Sequence, residues 1–141
     1  MHTSLLDILR CPFCGTALSV VQSDALIVEG DHMIDGVLGC ECCAYPVVAG
    51  IPVLIADDPT RHALQMLEAG RGEDALFGLL GLSEDAARRE RFRDLMQRET
   101  PNYREALEIL CDDAEGTWAL YRFTDPVFVT AETVLRAIGQ L

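Results

Sequence analysis

Lysine is absent from this chain: all 11 basic side chains are arginine, set against 23 Asp and Glu. The formal charge is −12, and ahead of Pro59 only Arg10 is basic. A surface of that sign repels phosphate backbones, which argues against direct binding of nucleic acid by this segment. Missing too is any apolar run of the roughly twenty residues that a membrane span needs. The start of the chain lacks a basic region, because His2-Thr3-Ser4 carries no Lys or Arg and residues 5–9 are broken by Asp7. That pattern argues against a secretory leader. The expected compartment is a reducing cytoplasm, with no membrane contact. No glycine-rich turn follows an acidic residue at a strand end. Gly70-Arg71-Gly72 has the right flavour but follows a helical segment, so it fails the test for a nucleotide loop. Ser, His and Asp occur only scattered, and no catalytic constellation, internal repeat or low-complexity run stands out.

What the chain does have is apolar residues, 50% of the total, which is enough to build a core and excludes wholesale disorder. It also has six cysteines, and five of them fall in two clusters, Cys11-Pro12-Phe13-Cys14-Gly15 and Cys40-Glu41-Cys42-Cys43. In a reducing compartment such clusters favour metal binding over disulfides, and adjacent Cys42 and Cys43 are awkward to pair in any disulfide scheme. Two thiolates spaced C-x-x-C on a tight turn can aim at one ion, and a second such turn completes a tetrahedron of sulfurs. Pro12 stiffens the first turn, while Gly15 lets the backbone fold back toward the sulfurs.

Cys11 and Cys14 form the first pair. In the second cluster Cys40 teams either with Cys43, as C-x-x-C, or with Cys42, as C-x-C. The first choice repeats the spacing of the opening pair and is preferred, giving Cys11, Cys14, Cys40 and Cys43 with Cys42 as a partly shielded spare thiol. His32, between the clusters, reads as a solvated loop residue; His2 and His62 have no partners in sequence, and Cys111 reads as a packed free thiol. Four thiolates leave no open position for water or substrate, so the metal is expected to hold the fold together and not to react.

The pattern changes near Asp57-Asp58-Pro59. Before it, a capping box at Ser4-Leu5-Leu6-Asp7 predicts a short helix. Strands are expected over 18–21 and 25–28 around a Ser23-Asp24 turn, then over 45–48 and 51–55 around Ala49-Gly50. Residues 30–35 read as a polar loop, and Pro46 and Pro52 point to edge or irregular strands. After it, Asp58-Pro59 opens a helix ending at Gly70, and further helices are predicted over 73–80, 83–97 (capped by Ser83) and 102–110. The Arg88–Arg93 run, Arg88-Arg89-Glu90-Arg91-Phe92-Arg93, reads as a solvated helix face with Phe92, Leu95 and Met96 turned inward. A short segment at 118–123 and a last helix from Asp125-Pro126 complete the chain. Gly139 looks like a helix-ending glycine two residues before Leu141, which points to a polypeptide that continues or docks onto something larger. The expected fold class is α+β: a β module over 1–57 and an all-helical region over 58–141.

Two stretches carry a resemblance: Leu5-Leu6-Asp7-Ile8-Leu9-Arg10-Cys11-Pro12-Phe13-Cys14-Gly15 and Tyr45-Pro46-Val47-Val48-Ala49-Gly50-Ile51-Pro52-Val53-Leu54. Together they resemble the small zinc-ribbon-like activator subunits of transfer-RNA and protein methyltransferases, and the short bacterial proteins related to them. The resemblance covers roughly residues 4–56, and departs from the family in the closeness of the second cysteine cluster to Tyr45 and in the helical extension. It implies a zinc-ribbon-like module with structural zinc, fused or bound to a methyltransferase catalytic domain dependent on S-adenosylmethionine (SAM), the SAM being held by that domain. It also implies partner contacts by Val47, Val48, Ile51, Pro52 and Val53; apolar edge strands suit strand addition, and packing on the chain's own helices is the alternative. Two rival readings remain: a rubredoxin-like iron module, since C-P-x-C-G is also an iron-type turn, and a free-standing adaptor with an unrelated partner.

Overall fold

A computed structural model describes residues 1–110. The chain divides into two compact units, Met1–Glu84 and Asp85–Leu141. The expectations for Cys111, for 118–123 and for the last helix with Gly139 lie outside the described residues.

The first unit is an antiparallel sheet followed by two helices, a mixed α+β arrangement. A 3₁₀ turn, Thr3–Asp7, precedes it. The expected Ser4 cap does not form there: His2 takes the capping position, its Nδ1 accepting from the Ser4 amide at 3.2 Å. Arg10 reaches back to the carbonyls of Asp7 and Leu9, so the one basic side chain before Pro59 is engaged at the end of this turn.

The strands are β1 (Ser19–Val21), β2 (Ile27–Glu29), β3 (His32–Gly39), β4 (Ala44–Val48) and β5 (Ile51–Pro52). β3 organises them. Its C-terminal half pairs with β1, its N-terminal half with β2, and residues Gly36–Gly39 pair with β4. β1 and β2 are therefore neighbours of β3 and are not paired with each other. The polar loop expected at 30–35 is mostly strand, and only Gly30, at φ 58°, and Asp31 turn the chain. Exposed His32 and fully buried Met33 alternate here, and pairing supplies what the local polarity of the segment conceals.

β4 is buried on both faces, which explains its apolar run. Tyr45 and Val47 pack with Met1, Cys11, Leu18, Met33 and Leu38. Val48 faces the other way, into a cluster with Ala25, Ala63, Leu67 and Ala75. Pro46 sits in this doubly paired strand and not at an edge. Its carbonyl accepts from the Val53 amide at 2.9 Å, so its missing donor falls on the β5 side, where pairing is only two residues long. The β4–β5 connection is a two-residue hairpin with positive φ at both centres, Ala49 at 49° and Gly50 at 78°, the turn that suits the natural strand twist.

Helix α1 (Asp58–Glu68) is capped by Asp57, one residue earlier than expected, whose Oδ1 accepts from the Thr60 amide at 2.9 Å. Ala63 and Leu67 fall on one face four residues apart and pack beneath Val48, and Gly70 at φ 70° turns the chain out of the helix. α2 (Gly72–Leu79) adds Ala75 to the same cluster. The compact unit thus extends past the strand-to-helix change at 57 to Glu84, because the β4 face needs both helices to cover it.

Asp35 ties these parts together. Its Oδ1 accepts from the Ala49 amide at 2.9 Å, and its Oδ2 occupies the space where a Cβ on Gly72 would stand. Making room turns the Asp35 carboxylate off the Ala49 amide, so Gly72→Ala should be about 1 kcal/mol less favourable than Gly78→Ala. Gly78→Ala in the same helix meets nothing nearer than 3.7 Å and should be neutral or stabilising. Urea melts of the two variants test this; equal effects would contradict the Asp35 contact.

In the second unit, α3 (Ala86–Met96) is capped by Asp85 and not by Ser83, with the Arg88 amide donating to Asp85 Oδ1 at 2.9 Å. α4 (Tyr103–Leu110) packs against it. Phe92, Leu95 and Ile109 are buried, and Arg88 Nε donates to the Ile109 carbonyl at 2.8 Å. Met96, expected inside, is exposed. Among the described residues no helix is long and apolar enough to cross a membrane.

Candidate metal centre

Each cysteine cluster is shaped by its own backbone. In the first, the Cys11 amide donates to the Thr16 carbonyl at 2.9 Å and the Gly15 amide to the Cys11 carbonyl at 2.8 Å. Gly15 sits at φ 74°, a conformation that glycine adopts without strain. In the second, the Cys40 amide donates to the Cys43 carbonyl at 2.9 Å, closing a tight turn between β3 and β4. The Ser19–Gly39 register of β1 on β3 then brings the two turns side by side.

The sulfurs of Cys11, Cys14, Cys40 and Cys42 all lie within 4.8 Å of one another. Cys14 Sγ is 3.7 Å from Cys40 Sγ, which is 3.5 Å from Cys42 Sγ. A tetrahedral thiolate site with metal–sulfur bonds of about 2.3 Å has sulfur–sulfur edges of about 3.8 Å, so four sulfurs at this spacing fit one ion. The group could hold a metal.

It differs at one place from the preferred sequence set: Cys42 and not Cys43 belongs to it. Cys43 stands just outside, its Sγ 3.5 Å from that of Cys42 and beside the Tyr45 hydroxyl. Its carbonyl is committed to closing the turn with Cys40.

Tyr45 is the residue whose role at the site sequence reasoning missed, having been read as part of a strand and of the second quoted motif. It is 1% exposed, and its hydroxyl lies 3.3 Å from Cys11 Sγ. The available signal was its place two residues beyond the cluster, on the same face of β4 as buried Val47. The hydroxyl's hydrogen bond holds the Cys11 thiol down at about 5, against the opposing effect of burial. In return the Tyr45 phenol is pushed up, first by Cys11 and then by Cys43. Cys40 is lowered, chiefly by the Cys42 amide. Cys42 is pushed up, by its hydrogen bond with Cys14 first and then by those with Cys43 and Cys40. Thr16 Oγ1 lies 3.0 Å from Cys14 Sγ and adds a further polar partner.

These directions set the pH response. Cys11 already favours the thiolate at neutral pH, whereas Cys42 keeps its proton until a cation displaces it. Apparent metal affinity should fall as pH falls, by up to about tenfold per unit for each proton displaced. Titrations at pH 6 and pH 7 in buffers of different ionisation heat check both the sign and the proton count; pH-independent binding would contradict it.

The histidines stay apart from the sulfur group. His32 lies on β3 with its ring 5.1 Å from that of His2, edge to face, and both are exposed; His62 is exposed on α1. Of the residues assigned to partner contact, Val47 and Val48 are buried in the unit's own clusters, Pro52 and Val53 are half-buried, and Ile51 is 62% exposed.

No family model matches the chain, and no curated protein or solved structure matches it.

Proposed function

We propose that Cys11, Cys14, Cys40 and Cys42 hold a structural zinc ion, and that the chain is a non-catalytic, zinc-ribbon-like module bracing a SAM-dependent methyltransferase domain. The observation that carries the metal part is the closeness of the four sulfurs, all within 4.8 Å of one another. A set of four sulfurs completes the zinc tetrahedron and leaves no site for substrate, so zinc here would stiffen the two turns and the sheet end that joins them. Cytoplasmic residence agrees with thiols that must stay reduced to bind.

The methyltransferase part rests on the two quoted motifs, 5–15 and 45–54. The surface left for a partner is the β5 edge, where exposed Ile51 and half-buried Pro52 form the two-residue strand and half-buried Val53 follows it. A segment of a catalytic domain can dock there on these apolar side chains; because Pro52 turns its backbone away from β4 and has no amide to donate, the contact is made mainly by side chains. The following helices, α3 and α4 among them, would connect to or contact that domain.

The test has two arms. Purified chain should contain one zinc, remain colourless, and show no heat of binding with SAM. Co-purification from the organism of origin should yield a methyltransferase domain, with recovery falling at least tenfold for Ile51→Asp. Micromolar SAM binding by the chain itself would contradict the bracing role, and a visible thiolate-to-iron band would make the metal iron.

A further inference from the structure

Five sulfurs surround a site that needs four. Cys43 is the surplus one, 3.5 Å from Cys42 Sγ, and Cys42 is exposed while Cys43 is half-buried. We propose that Cys42 and Cys43 form a peroxide-sensitive thiol pair whose oxidation opens the metal site; this rests on the metal reading above. Cys42 is the ligand that solvent reaches from outside, together with Cys14. Of these two, among the described residues, only Cys42 has a thiol outside the metal set beside it.

The oxidant is hydrogen peroxide, which is neutral. Glu41 lies next to Cys42, Arg10 is turned onto the backbone of residues 7 and 9, and the chain carries −12, so anionic disulfides are repelled. In the first step the Cys42 sulfur attacks one peroxide oxygen, the O–O bond breaks, and hydroxide leaves to become water on taking a proton. Cys42 is then a sulfenic acid. In the second step the Cys43 sulfur attacks the Cys42 sulfur, the S–O bond breaks, and hydroxide leaves with the Cys43 proton as water. Two thiols have lost two electrons, and the peroxide has been reduced to two waters.

Cys43 is the resolving thiol because the metal does not occupy its lone pair, whereas Cys40, equally near Cys42, is a ligand. A disulfide between adjacent residues closes a strained ring, and strained, exposed disulfides are the readily reduced ones, so the change reverses with thiols. Its effect is to remove the fourth sulfur and leave three, converting a closed site into one that loses its ion.

The experiment uses the full chain, reduced and loaded with zinc, with metal content measured before any oxidant is added. Hydrogen peroxide is then supplied, released zinc is followed with a chromogenic chelator, and thiols are alkylated for peptide mass mapping. Expected are one zinc released per disulfide, a Cys42–Cys43 bond, and recovery of binding after dithiothreitol and fresh zinc. Cys43→Ser and Cys43→Ala should bind zinc one to one and release it at least tenfold more slowly under peroxide. Release at the unchanged rate in those variants, a bond mapped elsewhere, or loss of zinc binding on replacing Cys43 each overturns the proposal. Absence of zinc before oxidant overturns the metal reading as well; bound zinc that peroxide leaves in place overturns this proposal alone.

Discussion

Replacing Cys11 with Ser should abolish metal binding and leave the first unit largely unfolded at room temperature. Cys11 is 2% exposed, sits in the cluster with Met33, Leu38, Tyr45 and Val47, and accepts the Tyr45 hydroxyl. Serine loses the sulfur that grips the ion and puts a smaller, more polar atom into an apolar surround. Structural zinc in small thiolate sites contributes apparent binding free energy on the order of 10 kcal/mol, comparable to the whole stability of an ordinary domain. The sheet is modest: β1 and β2 are three residues each and β5 is two, so little but the cores and the metal holds the sulfur end together. Far-ultraviolet circular dichroism with parallel metal analysis checks this. Cys11→Ser that keeps a full complement of metal and a native spectrum would contradict it. Chelation of the parent chain should give the same loss, restored by zinc.

The second large effect is expected from Leu38→Ala, about 2–5 kcal/mol of destabilisation. Leu38 is fully buried opposite Tyr45, in the cluster that backs the first cysteine turn. Its removal leaves a cavity beneath the site, so metal affinity should weaken together with stability. Ile51→Ala supplies the contrast: at 62% exposed it should change stability by no more than about 0.5 kcal/mol. Denaturant midpoints of both zinc-loaded variants measure the difference. If Ile51→Ala cost as much as Leu38→Ala, the β5 edge would be core and not a surface left for a partner.

Much of the site was legible because cysteine spacing is a local signal. The two turns, the helix starts near 58 and 72 and the hairpin at Ala49-Gly50 all follow from residues adjacent in sequence. What was hidden depends on pairing between distant segments. Residues 30–35 look like a loop because Asp31, His32 and Asp35 are polar, yet past the turn at Gly30-Asp31 residues 32–35 lie opposite β2 and form half of the central strand. Pro46 suggests an edge, and only the shortness of β5 shows how its missing donor is tolerated between two neighbours. The choice between Cys42 and Cys43 is likewise not a matter of spacing alone. It turns on which sulfur lies in the group with Cys14 and which stands by Tyr45. The caps moved to Asp57 and Asp85 because several candidate residues stand in a row, and the helix's first turn decides among them.

Val47 and Val48 show how one motif can carry two meanings. In sequence they make an apolar strand suited to a partner; in the fold each is already covered, Val47 by the sheet's own cluster and Val48 by α1 and α2. The partner surface proposed here is accordingly narrower, resting on Ile51, Pro52 and Val53.

The most direct measurement is X-ray absorption at the zinc edge on fully reduced, full-length chain with metal and protein quantified together. One zinc per chain, with four sulfur neighbours at about 2.3 Å and no nitrogen or oxygen neighbour, is the predicted result. A chain that holds no stoichiometric metal, or a zinc whose neighbours include water or imidazole, would contradict a closed, structural site.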